Sequence, residues 1–330
     1  MAYQVKSLPN SRVVAGLIVG TGVNATIPMK FTDLGAQKAE SIKSRYPAAS
    51  ETVVNTEITI SGAQAPLEPI TTTWDRELNK ALPRPGFQPL EYMTGGRYIG
   101  ELVRIIFHNY MTSAHIPNIE SAHLPAAMVH GYSLTTKVVS EYVGRARSNA
   151  ELTEHLKRLY PPPESSNWAW TPHAAGALRR IAQSVQARSA GLIAASTVGL
   201  LATVGEITLA DPDLPAEGSD VTEATKSNSS KLQATPRHLD RSTRDGLSPA
   251  PGVSSWRTGP EELVIAYTGG IIQHYPNFKE QCQRLIDRLV MRAGPQDGGK
   301  SVLLREARNG GIIGAGVLAG MESMRAAAAR

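Results

Sequence analysis

Apolar positions fall into short runs near the N-terminus and into longer stretches of helical period further on. Val13–Val19 is a continuous apolar, β-branched run, and Gly20-Thr21-Gly22 follows it as a tight turn. Ala25–Met29 reads as a second short strand and Val53–Ile60 (VVNTEITI) as a third. Two strands around a glycine turn predict a hairpin with its loop exposed. Ile99, Leu102, Val103 and Ile106 recur at helical spacing, which predicts one amphipathic helix over 91–108. Leu178, Ile181, Ala182 and Val185 predict another, running on towards Leu201. Pro161-Pro162-Pro163 stops whatever element precedes it. Leu263–Ala266 and Val302–Leu304 predict short strands. Phe278, Cys282, Leu285, Ile286 and Leu289 line one face of a helix, and Ile312–Arg325 predicts a last one. Early strands followed by alternating helices and strands indicate an α/β domain, a mixed sheet with flanking helices.

Composition changes this picture in one place. The chain has 330 residues, 41% hydrophobic and 19% charged, so most of it can bury a core. Residues 211–260 are instead rich in Pro, Ser, Thr and Gly and poor in large apolar side chains. Such a segment buries too little surface to offset its ordering entropy, and it is expected to be a disordered insertion. Residues 1–12 are polar and read as a tail. Val13–Val19 is too short to span a bilayer, and Ala190–Gly205, interrupted by Ser196, Thr197 and Thr203, reads as a core helix. The expectation is a soluble, cytoplasmic protein without membrane insertion. The formal charge of +5 is mild for this length and does not point to nucleic acid. A single cysteine, Cys282, excludes an intramolecular disulfide and reads as packing. The eight histidines (108, 115, 123, 130, 155, 173, 238, 274) fall at no metal-ligand spacing, so no metal site is expected.

Four features could carry chemistry. Gly20-Thr21-Gly22 can present backbone N–H groups and a hydroxyl to a phosphate, or it can be only a turn. Asn24 can donate and accept at once, which suits a sugar hydroxyl. Glu57 lies in a predicted strand of otherwise uncharged, mostly apolar and Thr residues, where a carboxylate is costly unless paired, used or turned outward. Glu91 opens a predicted helix, where the dipole alone would favour it. No Walker A motif, nucleophile elbow or dinucleotide Gly-x-Gly-x-x-Gly is present.

Taken in order, LIVGTGVNA (17–25), VNTE (54–57), WDRELN (74–79), RPGFQPLEYMTGGRYIGELVR (84–104), ARSAGLIAAS (187–196) and YPNFKE (275–280) make the chain resemble the large, C-terminal domain of a eukaryotic, fungal-like hexokinase. The resemblance covers residues 13–320 apart from 211–260. It implies an actin-like, ribonuclease-H-like ATPase domain over 13–210 and 261–330. It implies ATP-dependent phosphorylation of a hexose such as glucose at its 6-hydroxyl, at the entry to glycolysis. By resemblance Asn24, Glu57 and Glu91 bind the sugar hydroxyls, and ionised carboxylates are strong acceptors for such donors. Gly20, Thr21, Gly22, Thr268, Gly269, Gly270, Gly311 and Gly314 stand at the family's nucleotide-binding positions, with Mg-ATP as the implied cofactor.

The chain departs from the family pattern twice. The family's small domain and its catalytic aspartate lie upstream of the Gly-Thr-Gly turn, and no residue here is assigned that catalytic role. The expectation is a hexose-binding lobe with little activity alone. Thr268-Gly269-Gly270 stands where the family has Asp-Gly-Ser or Asp-Gly-Thr, and Gly311-Ile312-Ile313-Gly314 replaces a late Ser-Gly-x-Gly turn. Lost hydroxyl and carboxylate partners leave a non-catalytic sugar-sensing or regulatory relative as the alternative.

Overall fold

The computed structural model describes residues 10–60, 64–113, 119–209, 261–292, 294, 296 and 299–308. The 211–260 segment, Gly311, Gly314 and the predicted helix Ile312–Arg325 lie outside them. Strands β1 (Ser11–Val19), β2 (Val23–Lys30), β3 (Glu51–Asn55), β4 (Glu262–Thr268) and β5 (Ser301–Glu306) form one sheet in the order β3-β2-β1-β4-β5. β1 and β2 are antiparallel, as are β2 and β3, while β1, β4 and β5 run parallel. The predicted mixed sheet is present.

Burial explains why these runs are strands. In β4 all of Leu263–Tyr267 is buried, and in β1 Val14–Leu17 is, because both faces of a central parallel strand are covered. Edge strand β3 alternates half-buried and exposed positions, with Val53 67% exposed. Leu263, Ile265 and Tyr267 join the main core, while Val264 and Ala266 pack with Ala307 and Val13 on the other face.

The helices are α1 (Ala36–Lys43), α2 (Gln64–Leu67), α3 (Thr73–Lys80), α4 (Pro89–Thr94), α5 (Gly96–Thr112), α6 (Ala126–Val129), α7 (Thr136–Val138), α8 (Asn149–Leu159), α9 (Pro172–Thr203), α10 (Gly270–His274) and α11 (Phe278–Met291). α9 is the spine. Thr171 caps its first turn with Pro172 at the first helical position. Its faces meet α4, α5, α8 and α11. Among the described residues it is the one helix long and apolar enough to cross a membrane, and half of its most apolar window is buried against the rest of the domain. Cys282 of α11 is fully buried beside the Ala190 carbonyl, and burial pushes its thiol up to about 12. It is a packing residue.

Two predicted elements differ. The third strand ends at Asn55 rather than Ile60: the Thr56 N–H and hydroxyl both fold back onto the Ala25 carbonyl, and Glu57 turns away with φ 46. Glu57 therefore follows the strand instead of lying in it. The single helix over 91–108 is two helices broken at Gly95, which is extended (φ −76, ψ 144). The apolar period runs through the break, so periodicity alone does not reveal it. The break points the N-terminus of α5 at the β1–β2 turn.

Candidate functional site

The site is organised around Gly20-Thr21-Gly22. Gly20 N–H donates to the Gly22 carbonyl at 2.9 Å and closes the turn. The first N–H groups of α5 hold it from below: Gly96 donates to the Gly20 carbonyl at 2.7 Å and Arg97 to the Thr21 carbonyl at 3.1 Å. Donors left over at a helix N-terminus are thus spent on the turn. A Cβ on Gly96 would sit 2.7 Å from the Gly20 oxygen, so only glycine permits this approach.

A second glycine turn abuts the first. Ile18 and Thr268 are partners in the parallel β1–β4 register, so both strands end at the same level. Gly269 leaves β4 with φ 120, and a Cβ there would overlap the Val19 carbonyl oxygen. Gly269 Cα and Gly270 N stand 3.5 Å from where a Gly20 Cβ would be. The two turns are in contact at the carboxyl ends of parallel strands, where open α/β sheets place ligands.

Beside the β1–β2 turn lie the residues expected to bind a sugar. Asn24 Nδ2 donates to Asn55 Oδ1 at 2.8 Å and to Glu57 Oε1 at 3.1 Å, and Asn55 Nδ2 donates to the same Glu57 oxygen at 2.6 Å. Asn24 Oδ1 accepts from the Ala25 N–H at 2.8 Å. Glu91, in the first turn of α4, approaches from below. Its Oε2 lies 3.5 Å from Val23 N, and a Gly22 Cβ would meet that oxygen at 2.8 Å. Burial and then the Glu91 charge raise the Tyr98 phenol above its ordinary value. Sheet pairing brings Asn24 and Glu57 together, and α4 sets Glu91 against Gly22 and Val23, the residues just before Asn24.

The turn also borders a cavity of about 680 Å³ lined by Gly20, Thr21, Gly96, Gly270, Ile271 and His274 among others. Arg97, Lys137 and Arg145 also line it, with Glu141 the one carboxylate among the described lining residues. Arg145 donates to the His274 carbonyl at 3.3 Å, and Lys137 Nζ stands 3.9 Å from Glu141. Gly100 N–H donates to Thr136 Oγ1 at 2.7 Å, which anchors this wall to α5. Three cations against one anion suit a phosphate chain.

Thr268 lies at the end of β4 beside this cavity without lining it; Gly270 lines it. Asn55, Arg97, Lys137 and Arg145 are absent from the sequence-derived set. Asn55 stands two residues before Glu57 in VNTE, and that spacing in the predicted strand signals it. Nothing local signals Lys137 or Arg145, which tertiary packing delivers. Among the described residues, no three His, Cys, Asp or Glu side chains gather as a metal site.

The family model described as Hexokinase matches residues 14–321. The chain belongs to the hexokinase family. This hexokinase-family chain is 29% identical to Hexokinase-1 of Mus musculus over 187 residues, covering 56% of the chain and 17% of the mouse protein. It is 23% identical to Hexokinase-7 of Oryza sativa subsp. japonica over 323 residues, covering 94% of the chain and 53% of the rice protein. A solved structure of the Schistosoma mansoni hexokinase complexed with glucose aligns with a TM-score of 0.59 at 19% identity, over 90% of the chain and 50% of the schistosome one. The fold is the actin-like ATPase fold of hexokinases. The chain spans about half the length, or less, of the relatives it matches.

Proposed function

We propose that this chain carries the hexose-binding and nucleotide-binding faces of an ATP-dependent hexose 6-phosphotransferase, with glucose the first sugar to test. The observation that carries the reading is that two unlike surfaces adjoin one turn. Asn24 bonds Glu57 and Glu91 sits against Gly22 and Val23, while Gly20 and Thr21 line a cation-bearing cavity that none of those three enters.

The hexose side offers carboxylate acceptors for hydroxyl donors and an amide that donates and accepts. The cavity side fits polyphosphate: glycine walls admit close approach, and Thr21, Arg97, Lys137 and Arg145 would hold the phosphates. Mg-ATP, when bound, supplies the phosphoryl group and the divalent charge that neutralises it. The chain's own part is to orient the sugar and the phosphates across the turn. Glu57 already accepts from two amides, and Glu91 is wedged behind Gly22. Neither stands as proton acceptor for the 6-hydroxyl, so the 330-residue chain is expected to bind hexose and turn over slowly.

Titration calorimetry with glucose, with and without ATP, tests the reading, paired with a coupled glucose-phosphorylation assay on the chain. Glucose binding that Glu57→Ala and Glu91→Ala each abolish supports it. Absence of glucose binding overturns it. Glucose binding with no response to ATP favours the sugar-sensing reading, for which Thr268-Gly269-Gly270 in place of a carboxylate- and hydroxyl-bearing turn is the motivating feature.

A further inference from the structure

Asn55 stands outside the set of residues expected to touch sugar, yet it holds two of them. On β3 its partner in the β2 register is Thr26, two residues from Asn24, so its side chain reaches Asn24 across the sheet edge. The three side chains form a closed triangle: Asn24 to Asn55, Asn24 to Glu57, Asn55 to Glu57. Only one orientation of the Asn24 amide satisfies it. With Oδ1 accepting from Ala25 N–H, both Nδ2 protons must face the cluster, and Asn55 Oδ1 is the acceptor for one of them. A flipped Asn24 amide would set its NH2 against the Ala25 N–H and its oxygen against the Glu57 carboxylate, placing donor on donor and acceptor on acceptor.

Asn55 does the same for Glu57. Its 2.6 Å bond is the shortest in the triangle and charge-assisted. It ties down a side chain whose backbone has already left the strand at positive φ. Asn55 and Glu57 are both exposed, so this ordering contributes little to the hydrophobic core.

We infer that Asn55 is a positioning residue for hexose binding: it fixes the amide orientation of Asn24 and the rotamer of Glu57, so that both meet the sugar pre-arranged. This rests on the hexose reading above. Pre-arranged polar groups cost no reordering when the ligand arrives, which is where the affinity comes from.

The test is a double-mutant cycle of glucose affinity on the full 330-residue chain: wild type, Asn24→Ala, Asn55→Ala and the pair, titrated to high millimolar glucose, with a thermal melt of each. Asn55→Ala is expected to weaken glucose binding roughly tenfold, the scale of one charge-assisted hydrogen bond. Its melting temperature is expected to stay near wild type. Once Asn24 is alanine, losing Asn55 is expected to cost much less than it does alone, because part of what it positioned is gone. Wild-type affinity in Asn55→Ala overturns the inference while leaving the hexose reading intact. Losses that multiply across the pair also overturn it, since they mean direct and independent contact with the sugar. A wild-type chain that binds no glucose overturns both. Asn55→Asp is a second check: it keeps the acceptor for Asn24 but replaces the donor to Glu57 with a like charge, and is expected to bind more weakly than Asn55→Ala.

Discussion

Arg188 of α9 grips Asp75 of α3 through two parallel hydrogen bonds of 2.7 Å each, Nη1 to Oδ2 and Nη2 to Oδ1. Asp75 is also the capping-box residue of α3: it accepts from Thr72 N–H and hydroxyl, and its own N–H donates to Thr72 Oγ1. The neighbours of Arg188 extend the pattern. Ser189 donates to the Thr94 carbonyl at 3.3 Å, and Gln186 to the Pro276 carbonyl at 2.6 Å. One stretch of α9 thus binds the WDRELN, LEYMTGG and YPNFKE segments together. Through Thr94 this stretch also braces the segment that carries Glu91 and Gly96 of the site.

Breaking that pair should be costly and asymmetric. Asp75 has a side chain 0% exposed and Arg188 one 21% exposed. Arg188→Ala strands a buried carboxylate and is expected to lose ~3–5 kcal/mol of stability. Asp75→Asn leaves a guanidinium that still reaches water and should lose less. Chemical denaturation of the two variants checks the order.

The same pair sets an acid dependence. Burial raises the Asp75 carboxyl, but Arg188 and Thr72 outweigh it and hold the group below its ordinary 3.8. A depressed folded value means the stabilisation is present above the unfolded value and fades as pH falls through the folded one. In Arg188→Ala only burial and Thr72 remain, and the charged form loses its main support. The destabilisation by Arg188→Ala is therefore expected to be smaller at pH 3 than at pH 7. Melts at both pH values read this directly.

Gly96→Ala puts a methyl group 2.7 Å from the Gly20 oxygen and 3.0 Å from Ile271. The turn or the helix must shift, at a cost of roughly 1–3 kcal/mol. Because the turn separates the two faces, glucose and nucleotide affinity should fall together. Gly269→Ala adds backbone strain at φ 120 and should be the more damaging of the two for stability. Calorimetry and melts on both variants separate these effects.

Arg145→Ala and Lys137→Ala should act on one face only. Each is expected to weaken ATP binding several-fold and make what remains less salt-dependent, with glucose affinity within about twofold of wild type. A comparable loss of glucose affinity would contradict the division of the site into two faces.

Cys282 should be silent in the native protein. Its thiol is fully buried and pushed up to about 12, so almost none is thiolate at neutral pH. A disulfide-exchange reagent should label it only under denaturing conditions, and the labelling rate should report unfolding.

Much of the fold was written locally. Val13–Val19, the glycine turn and the run Leu263–Ala266 read as strands because an unbroken β-branched stretch has few other ways to be buried. Ordered motifs also marked Asn24, Glu57 and Glu91 and pointed to the family. The end of β3 and the break at Gly95 were not legible. Each depends on a hydrogen bond to a distant residue: Thr56 to Ala25 in one case, Gly96 to Gly20 in the other. Asn55 reaches Asn24 from 31 positions away and Arg145 reaches the His274 carbonyl from 129 away, contacts that no local pattern announces. Residue order carries the burial pattern and the motif, because both are properties of adjacent positions. Which polar groups meet is settled by strand register and by the docking of α5 and α9, where remote backbone and side-chain atoms satisfy one another.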